Sequence, residues 1–291
     1  MGSPIIIIAA PRSGTNMLRD MLCMHETLVT WPCDEINPIW RYGNAAHPSD
    51  ELTVSMATTR VKRYIRKRFE RLAPRNPGSQ TLDMTCANSL RVPFVAEIFP
   101  EARFLFMIRD GRDAIASAMT RWTGSTSLGY VLGKARWVPV RDVPRYAAVF
   151  AASRLRRLGR SERALSTWGP RFHGIDEWVA ESSLIEVCAE QWRQCVVQAQ
   201  QGLESIPQAN VLRIRYEHLV TRPAEEFERI FSFLRLPLPQ ELRAKIVSRV
   251  TPSNVGKHSC QLDAEGVAHI ERITGSVLSH VLAGIEDGVG S

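Results

Sequence analysis

The sequence predicts an α/β protein with a central, mostly parallel sheet of about five strands flanked by helices and an inserted helical lid. Three observations carry this. Short apolar runs alternate along the chain with stretches of helical periodicity. The opening run, residues 5–9, is unbroken and largely β-branched, as suits a strand buried on both faces of a parallel sheet. That run passes through a tight polar turn into a helical pattern, a strand–turn–helix order that is P-loop-like.

Taken in order, strands are expected at 5–9, 28–30, 80–82, 103–108 and 211–214; RFLFMI and VLRI are the clearest after the first. Helices are expected between them. The first covers 14–23, and the second covers 61–72, with Val61, Ile65, Phe69 and Leu72 on one face. A third follows RFLFMI at 113–121. A long amphipathic one spans 184–203 behind serines suited to cap it, and a last one spans 224–234 behind Pro223. Residues 122–180 differ. They hold glycines, prolines and Trp122, Trp137, Trp168 and Trp178, with no strand signal. They read as an inserted helical lid or substrate subdomain within one domain spanning 1–291.

The 291 residues, 44% apolar and 23% charged, suffice for a full core without covalent staples. Cys23, Cys33, Cys86, Cys188, Cys195 and Cys260 form no Cys-x-x-Cys pair and read as reduced core thiols. No run approaches the roughly 18 apolar residues of a membrane span. The first apolar run lacks the basic start of a signal peptide, so a cytoplasmic location is expected, with peripheral membrane contact left open. A net charge of +7 suits an anionic ligand: nucleic acid, a phosphate-rich cofactor or an acidic glycan. Composition does not choose among them.

The turn after the first strand reads Pro11-Arg12-Ser13-Gly14-Thr15-Asn16. Free N–H groups and the dipole at a helix N-terminus favour an anion there. Gly14 permits close backbone approach, Ser13 and Thr15 add hydroxyls, and Arg12 adds a planar cation suited to phosphate or sulfate oxygens. The nucleotide triphosphatase loop G-x-x-x-x-G-K-[ST] is absent, since neither its first Gly nor its Lys is present. The Mg²⁺ logic of that loop therefore has no support, and no metal is expected. A second anchor is Arg109-Asp110-Gly111-Arg112-Asp113-Ala114-Ile115-Ala116-Ser117. Arg109 lies at the carboxyl end of a strand, the edge where open parallel sheets bind ligands. Arg109 and Ser117 together suit a second phosphate; alternatively Arg109 pairs with Asp113 and Ser117 merely packs.

Together the two segments resemble the PAPS-dependent sulfotransferase family, PAPS being 3′-phosphoadenosine 5′-phosphosulfate. Pro11 to Thr15 is similar to that family's 5′-phosphosulfate loop and Arg109 to Ser117 to its 3′-phosphate motif. The run Tyr216-Glu217-His218-Leu219-Val220 is similar to its Y-E-x-L-V segment, and Ser253 to Lys257 to its late cofactor-covering loop. The motifs come closest to glycan and protein-tyrosine members.

The resemblance implies that Arg12, Ser13, Gly14, Thr15 and Asn16 hold the phosphosulfate and that Arg109 and Ser117 hold the 3′-phosphate. It also implies that Tyr216 and Lys257 contact the nucleotide, though Tyr216 reads equally as a core tyrosine. The implied reaction moves a sulfuryl group from PAPS to an acceptor hydroxyl by in-line displacement and releases adenosine 3′,5′-bisphosphate (PAP). Such chemistry needs a base at the acceptor and positive charge at the leaving oxygen. Asp34-Glu35 is similar to an acidic pair that supplies the base in protein-tyrosine members; Glu35 is the expected base and Asp34 the reserve, with a helix-capping acidic turn as the alternative. His25 and His47 read as packed or surface residues. At Met84 many relatives carry a Lys, so Arg12 is expected to act as the main cationic stabiliser.

The basic stretch 60–75 reads as a solvated helix face or as a track for an acidic glycan, and Trp137 and Trp168 as packed rings or as stacking surfaces for an acceptor. The acceptor is expected to be a hydroxyl on a glycan or glycolipid, with a small natural product as the rival; nucleic acid is not among the expected partners. A noncatalytic nucleotide- or polyanion-binding protein on this fold is the reading from another class, and a triphosphate-dependent phosphotransferase lacks the lysine it needs.

Overall fold

The computed structural model describes residues 2–72, 79–123, 137–139, 142–143 and 168–286. Its strands are β1 (Ile5–Ile8), β2 (Leu28–Thr30), β3 (Gln80–Asp83), β4 (Arg103–Ile108) and β5 (Val211–Arg215). They form one sheet in the order β2-β3-β1-β4-β5, and every pairing is parallel. Ile5 aligns with Leu82 on one side and Arg103 on the other, which makes β1 the central strand.

All four isoleucines of β1 are 0% exposed. Each such side chain contributes roughly 1.5–3 kcal/mol of burial free energy. The period of two sends Ile6 and Ile8 to one face and Ile5 and Ile7 to the other. On the first face lie α3 (Thr59–Leu72), α4 (Val92–Ile98), α5 (Gly111–Thr123) and α7 (Leu184–Glu204), through Ile65, Phe94, Ile115 and Val196. On the second lie α1 (Thr15–Leu22), α8 (Tyr216–Thr221), α9 (Pro223–Leu234) and α10 (Gln240–Val247), through Leu18, Leu219, Phe227 and Ile246. Neighbouring strands β1 and β4 thus send their following helices, α1 and α5, to opposite faces. That divergence opens a crevice at their carboxyl ends.

Among the described residues, six helices lie beyond the five placed from the sequence: the short α2 (Asn37–Trp40), α4, α6 (Ile175–Glu181), α8 and α10, and the long α11 (Ala264–Glu286). Helix α11 packs against α7 and α5 and buries Ile270 and Thr274. No helix among the described residues is long and apolar enough to cross a membrane.

Most of the expected lid lies outside the described residues, but its two attachments are inside. Trp122 ends α5 buried, with its Nε1 donating to Gln191 Oε1 at 3.4 Å. On the return, Gln191 Nε2 donates to the carbonyls of Trp168 and Pro170, each at 2.9 Å. The Arg171 N–H donates to Asp50 Oδ2 at 2.9 Å. Burial alone would push the Asp50 carboxyl up, but Arg91, Arg41 and the Arg171 N–H outweigh it and hold it below the usual carboxylate range. Trp137 and Trp168 pack against the core of the first face, the packed alternative of the two expected for them.

The serines before α7 do cap it. Ser183 Oγ accepts from the Glu186 N–H at 3.5 Å, and Glu186 Oε2 accepts from the Ser183 N–H at 2.8 Å, a reciprocal capping box. Ser183→Ala should therefore lower the unfolding free energy by about 1 kcal/mol in denaturant titration, while Ser183→Thr should leave it nearly unchanged.

Candidate active site

The β1–α1 turn is held in a rarely used backbone shape. Arg12 has φ +66° and Gly14 has φ +92°. For arginine the left-handed region costs about 1–2 kcal/mol, a strain kept where the surroundings enforce it. At Gly14 a side chain is excluded twice over, because a Cβ would also lie 2.6 Å from the Tyr216 ring. The turn delivers the N-terminus of α1, whose first residues are Thr15 and Asn16, to the crevice.

The β4–α5 junction forms the opposite wall. Its shape is fixed by Asp110, whose N–H donates to Glu217 Oε1 at 2.9 Å and whose carboxylate accepts from the Arg112 N–H at 2.9 Å. Arg109 Nη1 donates to the Arg12 carbonyl at 2.9 Å, and its guanidinium lies 4.6 Å from the centre of the Tyr216 ring. Tyr216 therefore packs on Gly14 and on Arg109 at once. Arg12 Nε donates to Ser117 Oγ at 2.9 Å across 105 residues of sequence. The two motifs face one cleft.

That cleft has a volume of about 480 Å³ and is bounded by Arg12, Gly14, Thr15, Asn16, Arg109, Ser117, Tyr216 and Lys257 among others. Eight of the nine expected cofactor-binding residues thus share one cavity. The ninth, Ser13, is 1% exposed and lies beneath the turn, and its Oγ is buried without a hydrogen-bond partner among the described residues.

Arg121 and Arg249 also border the cleft and were not picked out from the sequence. The described lining thus carries five cations, Arg12, Arg109, Arg121, Arg249 and Lys257, against a single carboxylate, Asp113. Burial, then the nearby charges of Arg121 and Arg109, hold the Arg12 guanidinium below its usual pKa. A cation crowded by cations gains from a bound anion.

Asp113 does more than pair with Arg109, 3.5 Å away. It accepts from the Gly256 N–H at 2.8 Å, from the His258 N–H at 2.9 Å, and bonds His258 Nδ1 at 2.8 Å. Burial alone would raise its carboxyl; the His258 and Gly256 contacts and Arg109 outweigh that and hold it low. This clamp pins the loop carrying Asn254 and Lys257 over the cleft, where Arg109 Nη2 also donates to the Asn254 carbonyl.

Glu35 does not border the cleft. Its Oε1 accepts from the Cys86 N–H at 3.4 Å, and the Cys86 thiol faces both the Glu35 carboxylate and the Thr15 hydroxyl. Asp34 turns outward to Arg19, 3.6 Å away. Met84 is buried in the core of the second face, where an ammonium would lack water. His25 bonds Thr27 and packs on Phe231, and His47 bonds the Ser49 carbonyl; neither lines the cleft. On α3, Arg66 pairs with Glu101 and Lys62 with Glu97, so part of that basic face is neutralised within the fold.

A model of the sulfotransferase family matches residues 4–240. The chain belongs to the sulfotransferase family. Protein-tyrosine sulfotransferase A of Caenorhabditis elegans is 24% identical to it over 280 residues, which cover 89% of this chain and 58% of that protein. The chain thus spans little more than half the length of that relative. Among solved structures, a sulfotransferase from Alicyclobacillus acidocaldarius aligns with a TM-score of 0.55 at 13% identity, covering 98% of this chain and 97% of that one. Mouse sulfotransferase SULT7A1, solved complexed with PAP, aligns with a TM-score of 0.50 at 12% identity, over 94% and 84%. At such identities the sulfotransferase likeness of these structures is one of fold.

Two outcomes follow for the family site as built here. Gly14→Ala should lower the unfolding free energy by about 1–2 kcal/mol through φ alone, read in denaturant titration, with a further loss as the Tyr216 ring is displaced. Asp83, fully buried at the end of β3, has its carboxyl pushed up to about 6, chiefly by burial, with its hydrogen bonds to Thr85 and Trp40 offsetting part. The folded state then binds this proton more tightly than the unfolded chain, whose value is about 3.9. Stability from this group is present below about pH 4 and falls as pH rises towards 6, by up to about 3 kcal/mol. Asp83→Asn should flatten that part of the stability–pH profile.

Proposed function

We propose that the chain transfers a sulfuryl group from PAPS to an acceptor hydroxyl on a glycan or glycolipid. The carrying observation is the single cleft that joins both motifs and, among the described residues, sets five cations against one carboxylate. Three further features fit a bis-anionic nucleotide. Ser13 Oγ is buried without a hydrogen-bond partner among the described residues, Gly14 lets the turn take its left-handed shape against the Tyr216 ring, and the Arg12 charge is crowded by Arg121 and Arg109. In this reading Arg12 to Asn16 hold the phosphosulfate, Arg109 and Ser117 hold the 3′-phosphate, and Tyr216 and Lys257 border the nucleotide.

PAPS, when bound, supplies an activated sulfuryl group on a phosphate leaving group. The chain's residues do the rest. Glu35, linked to Thr15 of the cleft lining through the Cys86 thiol, takes the proton from the acceptor oxygen as that oxygen bonds to sulfur. Arg12 and the N–H groups opening α1 stabilise the negative charge that grows on the departing phosphate oxygen. Met84 offers no charge, which leaves that task to Arg12. No step calls for a metal ion, since the anionic groups meet amides and guanidiniums. The exposed cations of α3, among them Arg63, Lys67 and Arg71, support an acidic glycan as acceptor. A second reading, a tyrosyl hydroxyl in a peptide, is favoured by the match to a protein-tyrosine sulfotransferase.

Labelled PAPS offered with a glycan, a tyrosine peptide and a small phenol separates these readings by where the label goes. PAP binding with no transfer to any acceptor would identify a noncatalytic binder, and a requirement for Mg²⁺ and a nucleoside triphosphate would identify a phosphotransferase. Arg12→Ala should lower turnover about 10²-fold or more, the scale for one preorganised donor. Turnover close to the unsubstituted rate would remove Arg12 from the mechanism.

A further inference from the structure

Glu35 sits in the connection between β2 and α2, a loop without regular structure of its own. A base must be held to within about half an ångström, and a loop does so only when other groups lock it. Immediately beyond the end of β3 lies a buried set of hydrogen bonds that supplies such a lock. The Asp83 carboxylate accepts from Trp40 Nε1 at 3.1 Å, Asn88 Nδ2 at 2.9 Å, the Thr85 N–H at 3.3 Å and Thr85 Oγ1 at 2.9 Å. Thr85 is 0% exposed. An ionised carboxylate only accepts, so the Thr85 hydroxyl must spend its one proton on Asp83. Its lone pairs are then left for the Ile36 N–H, which donates to it at 3.2 Å. Ile36 is the residue after Glu35. One position further on, the Cys86 N–H donates to Glu35 Oε1.

We infer that Thr85 is the positioning residue of the base. Its hydroxyl, oriented by Asp83, pins the backbone beside Glu35 to the end of β3, where the adjoining Cys86 N–H meets the carboxylate. The inference rests on the reading of Glu35 as the base. Thr85 is fully buried and is not among the described residues that border the cleft, so it acts on the placement of Glu35 and not on nucleotide binding. Removal of the hydroxyl strands the Ile36 N–H in a buried place and frees the loop to shift, and a 1 Å misplacement near the chemistry costs up to about 10²-fold in rate.

Thr85→Val keeps the shape without the hydroxyl, Thr85→Ser keeps the hydroxyl without the methyl, and Thr85→Ala replaces Val should that variant not fold. Three readouts apply: release of label from PAPS to water and to the same acceptor panel, calorimetric PAP affinity, and hydrogen exchange at the Ile36 amide. The expected result for Thr85→Val is a fall in kcat of at least about tenfold, PAP affinity within about twofold of the unsubstituted chain, and faster Ile36 exchange, with Thr85→Ser restoring kcat and the slow exchange. Unchanged kcat in Thr85→Val, PAP affinity lost in step with kcat, or no rescue by Thr85→Ser would overturn the assignment. Glu35→Gln separates the two layers. If it is inactive while Thr85→Val is unimpaired, only the positioning role fails. If it turns over normally, the reading of Glu35 fails and the positioning role with it.

Discussion

Everything in the site depends on adjacent strands sending their helices to opposite faces. The α1 helix packs on Ile5 and Ile7, and α5 packs on Ile6 and Ile8, because the side chains of β1 alternate. The crevice that results is a gap between two well-packed layers and not a defect in either. It gathers the loop after β1 and the arginine after β4, which lie 97 residues apart in sequence and 2.9 Å apart in space, from Arg109 Nη1 to the Arg12 carbonyl. The hydrophobic pattern of a four-residue strand therefore decides where the charges meet.

Those charges are stored at a cost. Like cations in one cleft repel, and among the described residues of the lining one carboxylate offsets them. Asp113 is placed to neutralise part of Arg109 while its other lone pairs hold the loop that carries Asn254 and Lys257. The same residue thus moderates the field and fixes the covering loop. What remains unbalanced among the described lining residues is positive.

Much of this was legible in the sequence, for identifiable reasons. The strands declared themselves because buried parallel strands must be nearly all apolar, and Ile5 to Ile8 or Phe104 to Ile108 admit few other readings. The β1–α1 turn was legible because a strand running into a helix through a left-handed backbone needs a glycine, here Gly14, at a fixed place. Helix α4 was not, since a seven-residue helix opening Val92-Pro93 shows too few turns to reveal a period. Helix α11 carried a signal at Val267, Ile270, Ile273 and Val277, diluted by Gly266 and Gly275. Arg121 and Arg249 escaped because an arginine near a helix end looks like any solvated cation, and only the fold brings these two to one cavity. Thr85 and Cys86 escaped for a related reason: their partners, at positions 35 and 36, belong to a different crossover. Met84, which stood out as a missing charge, turned out to sit in the apolar layer under α1.

The Tyr216 ring lies against both the bare Cα of Gly14 and the guanidinium of Arg109. The glycine's missing side chain and the arginine's flat face are thereby both fitted to a single aromatic plate. A change at any of these three positions is felt by the other two, so in a lineage they should drift as one inherited unit. An alteration that shifts the turn after β1 would also shift the arginine after β4.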